Sequence, residues 1–175
     1  MIRIAVTGPE STGKSTLAHQ LAAHYSCPVV PEYAREYLMQ LNRKYAAYDV
    51  EAIARGQMDA ENVLEKNHRL IICDTDLLVC RIWMEVVFGS CPDWLLKASR
   101  IPRYTHTLLM NIDLPWVNDP LREHPTRRQE LFDRYQIALK EDGRSFSIIS
   151  GKDDKRFKTA CEKVDLVLAK KKITS

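Results

Sequence analysis

A glycine-rich stretch near the start of the chain has the spacing of a phosphate-binding loop. Gly8 and Gly13 are separated by four residues, and Lys14 and Ser15 follow directly. The glycines let the backbone curl so that successive N–H groups point at phosphate oxygens, while the lysine supplies a positive charge and the serine hydroxyl a ligand for Mg²⁺. The pattern predicts an ATP site, a P-loop. Its predicted contact residues are Gly8, Pro9, Glu10, Ser11, Thr12, Gly13, Lys14, Ser15 and Thr16.

Such a loop needs a carboxylate nearby for the metal. Residues 70–74 are four apolar residues followed by Asp74, the form of a buried strand that ends in an acid. We predict that Asp74 and Ser15 hold Mg²⁺ and that Asp76, two residues further on, faces the substrate. An apolar run ending in aspartate is also a common strand exit, so the prediction depends on the P-loop beside it.

Glu32 follows the second apolar run, at a position that would face the same crevice as the P-loop. It could accept the proton of a hydroxyl group that attacks the γ-phosphate of ATP. Alternatively, it could be a carboxylate on the first turn of a solvated helix. Position alone leaves both interpretations open.

Residues 111–126 contain three prolines and separate the fourth apolar run from the next helix. Connections of this length without structure of their own are usually lids or binding loops, so we predict a lid and call this segment the lid loop. Arg122 is the candidate to neutralise charge on a transferring phosphoryl group. Trp116 could stack on an aromatic ring or anchor the loop, and Arg127 and Arg128 fit an ordinary helix surface.

Short apolar runs alternate with helical patterns along the chain. We expect strands at 2–7, 28–31, 70–73, 107–110 and 146–149, and helices at 14–25, 32–41, 77–87, 127–141 and 154–169, with another helix that Asp49 caps. This alternation predicts an α/β fold of the P-loop kinase type. Its doubly wound, five-stranded parallel sheet should have the order 2-3-1-4-5.

The composition indicates one ordinary globular domain, residues 1–175, with 45% apolar and 28% charged residues. No window approaches the roughly 18 apolar residues of a membrane span, and the first residues lead into a strand, so we expect a cytoplasmic protein. The five cysteines match neither zinc nor disulfide spacing. The sequence leaves the oligomeric state open, and a homo-oligomer is one option.

The net charge is only +3, although residues 151–175 carry eight Lys and Arg against four Asp and Glu. We interpret the terminal run Lys170-Lys171-Lys172 as a solvated tail that follows the last helix. Nucleic acid is therefore the weaker choice of partner, and a small-molecule acceptor is the stronger one.

Four blocks together resemble a known family. Gly-Pro-Glu-Ser-Thr-Gly-Lys-Ser-Thr, Pro-Glu-Tyr-Ala-Arg-Glu-Tyr, Cys-Asp-Thr-Asp-Leu-Leu and Asp-Leu-Pro-Trp-Val-Asn-Asp-Pro-Leu-Arg occur in this order. They are similar to the ribosylnicotinamide kinase domain of the bifunctional NAD-biosynthesis proteins and to its single-domain P-loop ATPase and kinase relatives.

The resemblance implies transfer of the ATP γ-phosphate to the 5′-hydroxyl of nicotinamide riboside, which gives nicotinamide mononucleotide. It places ATP and Mg²⁺ at Lys14, Ser15 and Asp74, and Trp116 against the nicotinamide ring. The implied substrate-binding residues are Glu32, Tyr33, Arg35, Asp76, Trp116 and Asp119. The residues expected to act in catalysis are Lys14, Glu32, Asp76 and Arg122.

Two other functions remain open from the sequence. Another nucleoside or nucleotide kinase would keep every part except the ring contacts, and an ATP-binding regulatory switch would bind ATP without an acceptor. The bifunctional proteins also carry an adenylyltransferase domain with a His-x-Gly-His motif, which none of the five histidines fits. We therefore expect any mononucleotide product to be adenylylated elsewhere.

Overall fold

The computed structural model describes residues 1–173. Its sheet has five parallel strands in the order β2-β3-β1-β4-β5, as the sequence predicts. The strands are β1 (Ile2–Thr7), β2 (Val29–Val30), β3 (Leu70–Asp74), β4 (His106–Met110) and β5 (Phe146–Ile149). Parallel neighbours need crossover connections, and the helices between the strands supply them.

Seven helices surround the sheet in the described part of the chain. They are α1 (Lys14–His24), α2 (Tyr33–Gln40), α3 (Ala47–Glu65), α4 (Leu77–Val87), α5 (Asp93–Arg100), α6 (Arg128–Glu141) and α7 (Asp153–Ile173). None of them is long and apolar enough to cross a membrane.

The alternation of side chains along the strands divides the core between the two faces of the sheet. Ile4, Val6 and Leu108 are fully buried on the face that α1 and α7 cover. On the other face, Leu109 packs with residues of α4 and α6, while Ile71 packs beneath α3. The strands are therefore apolar on both sides, as expected for a parallel sheet between helices.

Two local expectations were wrong, and one helix was not predicted. Asp49 is the third residue of α3 rather than its N-cap, and its carboxylate accepts a hydrogen bond from the Ala46 N–H at 2.7 Å. The short helix α5 was not predicted. The last helix continues through the backbone of the lysine run at 170–172, so these residues do not form a tail after it; only residues 174–175 lie outside the described part.

Candidate active site

A cavity of about 740 Å³ lies at the carboxyl ends of the strands. The P-loop follows β1, Glu32 follows β2, Thr75 follows β3 and the lid loop follows β4, so these four connections meet at one edge of the sheet. Helices α3 and α4 form the wall opposite the P-loop. The topology thus brings together segments that are far apart in sequence.

The P-loop curls as its glycines predict. Gly8 and Gly13 have positive φ angles of 134° and 77°, and Ser11 also adopts the left-handed region at 56°. A Cβ atom on Gly8 would lie 3.0 Å from the Met110 carbonyl oxygen, so the strand behind the loop leaves no room for a side chain. The Lys14 ammonium donates a hydrogen bond to the Pro9 carbonyl at 2.9 Å, inside the curl.

Two arginines brace the P-loop from outside the cavity. Arg128 of α6 donates to the carbonyl oxygens of Ser11 at 3.0 Å and Leu114 at 2.7 Å. Arg156 of α7 is buried and donates to the Thr12 carbonyl at 2.8 Å, and burial lowers the pKa of its guanidinium. The sequence interpretation treated Arg128 as helix surface and did not consider Arg156. The Ser11 and Thr12 carbonyls belong to a loop that only the fold brings to these helices.

Asp74 lies under the P-loop and is 3% exposed. Burial raises the pKa of its carboxyl group, and the Ser15 hydroxyl and the Lys14 ammonium act in the opposite direction. Its Oδ1 atom is buried without a hydrogen-bond partner among the described residues. An orphaned carboxylate oxygen beside a serine hydroxyl suits a Mg²⁺ ion, which prefers oxygen ligands and keeps several waters or phosphate oxygens.

Glu32 lies on the cavity wall at the start of α2. It occupies the N-cap position, but its side chain makes no capping hydrogen bond to the helix. Burial raises the pKa of its carboxyl group, Lys14 lowers it and Asp74 raises it. A carboxylate with a raised pKa that faces a phosphate loop is well suited to accept a proton.

The lid loop has no helix or strand of its own and is fastened to the P-loop. The Glu10 carboxylate accepts the backbone N–H groups of Glu123 at 3.1 Å and His124 at 2.9 Å. The Ser11 hydroxyl accepts the Val117 N–H at 2.9 Å. We call these contacts the clasp. Arg122 lines the cavity within it and donates to the Val117 carbonyl at 2.5 Å.

Asp76 does not line the cavity, contrary to the sequence interpretation. It is 1% exposed, and its two oxygens accept hydrogen bonds from the Thr7 hydroxyl at 2.8 Å and the Arg144 guanidinium at 2.7 Å. Thr75, between the two aspartates, has a φ of 76°, a conformation that β-branched residues rarely adopt. The chain therefore turns sharply after β3, and Asp76 is held in a buried ion pair.

Three other residues assigned to the substrate also lie outside the cavity lining. The Trp116 indole N–H donates to the Asn118 side chain at 2.8 Å, and its ring lies 6.0 Å from the Arg128 guanidinium. Tyr33 lies over Gly56 of α3, where an added Cβ atom would be 2.3 Å from its ring.

Asp119 forms an ion pair with Arg35 at 2.8 Å. This pair joins α2 to the lid loop, and of its two members only Arg35 lines the cavity.

Part of the cavity lining consists of residues that the sequence interpretation missed. Tyr45, Trp83 and Phe88 form one side, which we call the aromatic wall, and Gln57 of α3 also faces this space. The only sequence signal was the occurrence of aromatic residues in and around α4. That signal is also typical of a core helix.

Comparison with known protein families decides the membership of the chain. A family model described as AAA domain matches residues 3–156, which is most of its length. The chain belongs to this AAA domain family. The match includes the P-loop, Glu32, Asp74 and the whole lid loop.

This AAA domain protein is 25% identical over 170 residues to the trifunctional NAD biosynthesis/regulator protein NadR of Escherichia coli strain K12. The match covers 92% of the chain but 41% of that relative, so the chain spans less than half of its length. A solved structure of a NadR protein in complex with NR is similar with a TM-score of 0.80 and 25% identity, over 93% of this chain and 50% of the other.

Thymidylate kinase from Ehrlichia chaffeensis shares the fold alone. Its TM-score is 0.65 at 15% identity, over 95% of this chain and 98% of that enzyme. The comparisons therefore support a P-loop kinase fold and the resemblance to the NAD-biosynthesis proteins.

Proposed function

We propose that this protein is an ATP-dependent kinase that phosphorylates the 5′-hydroxyl group of nicotinamide riboside. The observation that carries the proposal is the position of Glu32, a half-buried carboxylate on the wall of a cavity that the P-loop also lines. The similarity to a NadR protein whose structure was determined with NR supports this choice of acceptor.

The residues of the chain divide the reaction between them. Glu32 accepts the proton of the 5′-hydroxyl group, the hydroxyl oxygen forms a bond to the γ-phosphorus, and the bond from that phosphorus to the bridging oxygen of ADP breaks. Lys14 and Arg122 offset the negative charge that spreads over the phosphoryl oxygens. Ser15 and Asp74 would hold Mg²⁺, which when bound neutralises phosphate charge.

The clasp has a role in the same proposal. It keeps Arg122 of the lid loop on the cavity wall and the lid loop over the P-loop. Exclusion of water from a phosphoryl transfer site protects ATP from hydrolysis and strengthens the electrostatic interactions in it.

A kinase that acts on a nucleotide is the second candidate. Arg35, Arg43 and Lys44 line the cavity in addition to Lys14 and Arg122, and cationic side chains favour an acceptor that carries a phosphate. Arg43 is, however, engaged by the Asp49 carboxylate at 2.7 Å, and Arg35 by Asp119. These ion pairs reduce the positive charge available to an acceptor, so the riboside is favoured.

The test measures ADP release with nicotinamide riboside, uridine, adenosine and thymidine monophosphate at equal concentrations, with each product identified by mass. We expect nicotinamide mononucleotide to form fastest. If only thymidine monophosphate is turned over, the acceptor is a nucleotide. If no acceptor raises ATP turnover above the acceptor-free control, the protein is a switch or an ATPase and the kinase proposal is wrong.

A further inference from the structure

The cavity wall near Glu32 contains a buried hydrogen-bond donor that has no acceptor among the described residues. Gln57 is 2% exposed and lines the cavity, and its Nε2 atom has no hydrogen-bond partner in the described part of the chain. Its Oε1 atom accepts the Tyr33 backbone N–H at 2.9 Å. Rotation of the amide would place its NH₂ group against that N–H, so the hydrogen bond fixes which atom carries the free donor.

A buried donor without an acceptor costs free energy, so its retention requires an explanation. Gln57 is at the end of the cavity where Glu32 lies, because the Tyr33 N–H that it accepts belongs to the next residue along the chain. A molecule whose hydroxyl group reaches Glu32 would therefore bind close to Gln57.

The aromatic wall lines the same cavity, and its side chains contact one another. The rings of Tyr45 and Trp83 are 4.9 Å apart in an edge arrangement, and those of Tyr45 and Phe88 are 6.1 Å apart. The Trp83 indole N–H donates to the Tyr45 hydroxyl at 3.1 Å, and that hydroxyl donates to the Glu123 carboxylate of the lid loop at 2.5 Å. Ile53, one helical turn before Gln57, packs in the same cluster as Tyr45 and Trp83.

We propose that the ring of the acceptor binds against the aromatic wall and that the Gln57 side-chain amide donates a hydrogen bond to an oxygen on that ring. The inference rests on the proposed function, because it takes the part of the cavity lined by Gln57 and the aromatic wall as the acceptor site. The ligand class is a flat heterocycle with an exocyclic carbonyl oxygen, attached to a sugar whose hydroxyl group reaches Glu32. Trp116 has no part in it, since its indole is bound to Asn118 outside the cavity.

Binding experiments can test the donor without any need for turnover. Gln57→Glu keeps the acceptor for the Tyr33 N–H and replaces the free donor with an oxygen, while Gln57→Met keeps the length and removes both groups. The exposed Gln20→Glu is the matched control. The ligands are nicotinamide riboside and its analogue without the carboxamide, pyridinium riboside, measured by calorimetry with a nonhydrolysable ATP analogue present.

Both Gln57 variants should bind nicotinamide riboside about tenfold more weakly and bind pyridinium riboside within about twofold of the wild-type value. Loss for both ligands alike, or for neither, would overturn the role of the donor. Uridine, which has ring carbonyls, serves as a second probe. If uridine binds and nicotinamide riboside does not, the affinities of the wild type and the two Gln57 variants are compared for uridine instead.

Tryptophan fluorescence tests the ring position separately. The chain has three tryptophans, so Trp94→Phe with Trp116→Phe leaves Trp83 as the only one. Nicotinamide riboside should quench the emission of this variant by a larger fraction than that of Trp116→Phe, which keeps Trp94 as well, because the ring contacts Trp83. Binding seen by calorimetry with unchanged Trp83 emission would place the ring elsewhere.

The outcomes separate the two proposals. If nicotinamide riboside binds with the expected dependence on Gln57 but releases no ADP, the kinase proposal fails and the ring site stands. If it is phosphorylated and the Gln57 variants bind it normally, the kinase stands and the ring site is wrong. If none of the ring compounds binds, the ring site is also wrong.

Discussion

Glu32 lines the same cavity as the P-loop, Gln57 and the aromatic wall. Burial raises the pKa of its carboxyl group. As the pH falls, Glu32 therefore becomes protonated at a higher pH than an ordinary glutamate. Below that pKa the group is protonated and cannot accept the hydroxyl proton, so kcat/KM should fall as the pH decreases through it. This acid limb should therefore lie above the ordinary glutamate value of about 4.3.

Glu32→Gln checks this assignment. The variant should lose activity by about 10²-fold at neutral pH, and its remaining rate should not show the acid limb. The measurement is a pH profile of kcat/KM for both proteins over a range in which their circular dichroism is unchanged. An identical acid limb in Glu32→Gln would assign the limb to another group, with Asp74 next.

Asp74→Asn preserves the shape of the side chain beneath Ser15 and removes its charge. Because Oδ1 has no protein partner among the described residues, we expect the loss to appear in the metal requirement rather than in folding. The Mg²⁺ concentration that gives half-maximal activity should rise, and the melting temperature without nucleotide should fall little or not at all. An unchanged Mg²⁺ titration would show that Asp74 does not serve the metal.

For Asp76 we expect a loss of stability rather than a change in the metal requirement, although Asp76 is only two residues from Asp74. Asp76→Ala leaves the buried Arg144 guanidinium without its carboxylate, so the free energy of unfolding should drop by about 3–5 kcal/mol. Adding Arg144→Met should recover part of this loss, because the uncompensated charge is removed with it. Denaturant unfolding of the two single variants and the double variant checks the coupling.

If Asp76→Ala instead unfolds like the wild type and loses its affinity for the acceptor, the substrate role inferred from the sequence is restored. The contrast between Asp74 and Asp76 also marks what local sequence can predict. The P-loop and the acid at the end of β3 follow from spacing. The direction of Asp76 depends on the positive φ of Thr75 and on Arg144, which is 68 residues away.

At the level of elements, the clasp is the feature most open to experiment. Glu10→Ala removes the carboxylate that accepts the Glu123 and His124 N–H groups, so the lid loop should open more often. Hydrogen exchange at these two amides should become about tenfold faster or more, while amides of β1 and β4 keep their wild-type protection. Glu36→Ala, an exposed glutamate on α2, is the control.

Unchanged exchange at Glu123 and His124 in Glu10→Ala would mean that the clasp does not hold the lid loop. The lid loop was predicted from its length and its prolines. The hydrogen bonds that fasten it to the P-loop could not be predicted from the sequence. Glu10 and Ser11 belong to the variable positions of the P-loop pattern, and their partners are backbone N–H groups, which have no signature in the sequence.

The strands and most helices were predictable because their patterns are local. Continuous apolar runs at β3 and β4 and the turn residues around them are sufficient to place those strands. The helix α5 has eight residues between Pro92 and Pro102 and only one fully buried apolar side chain, Leu95, so its periodic signal is weak. Trp83 was assigned to a helix correctly, but its exposure to a cavity is a property of the tertiary structure.

At the scale of the whole molecule, the nucleotide site is connected to elements from both ends of the chain. Arg128 links the P-loop to α6, Arg156 links it to α7, and the clasp links it to the lid loop. A ligand that binds the P-loop in the folded protein should therefore stabilise the domain as one cooperative unit. Arg156 thus contributes one of the positive charges of α7 to this brace.

Lys14→Met tests the binding of ATP at the P-loop through its effect on stability rather than on catalysis. ATP at 100 times its dissociation constant should raise the free energy of unfolding of the wild type by about 2.7 kcal/mol, because it binds only the folded state. In Lys14→Met the charge that meets the phosphates is gone, so the same ATP concentration should leave the melting temperature nearly unchanged. The variant should fold normally, since Lys14 is at the cavity wall and its ammonium donates only to Pro9 among the described residues. Lys97→Met, exposed on α5, should keep the full ATP shift and controls for the loss of one positive charge. A wild-type shift in Lys14→Met would show that ATP does not bind through the P-loop lysine, and the proposed reaction would then lose its phosphate site.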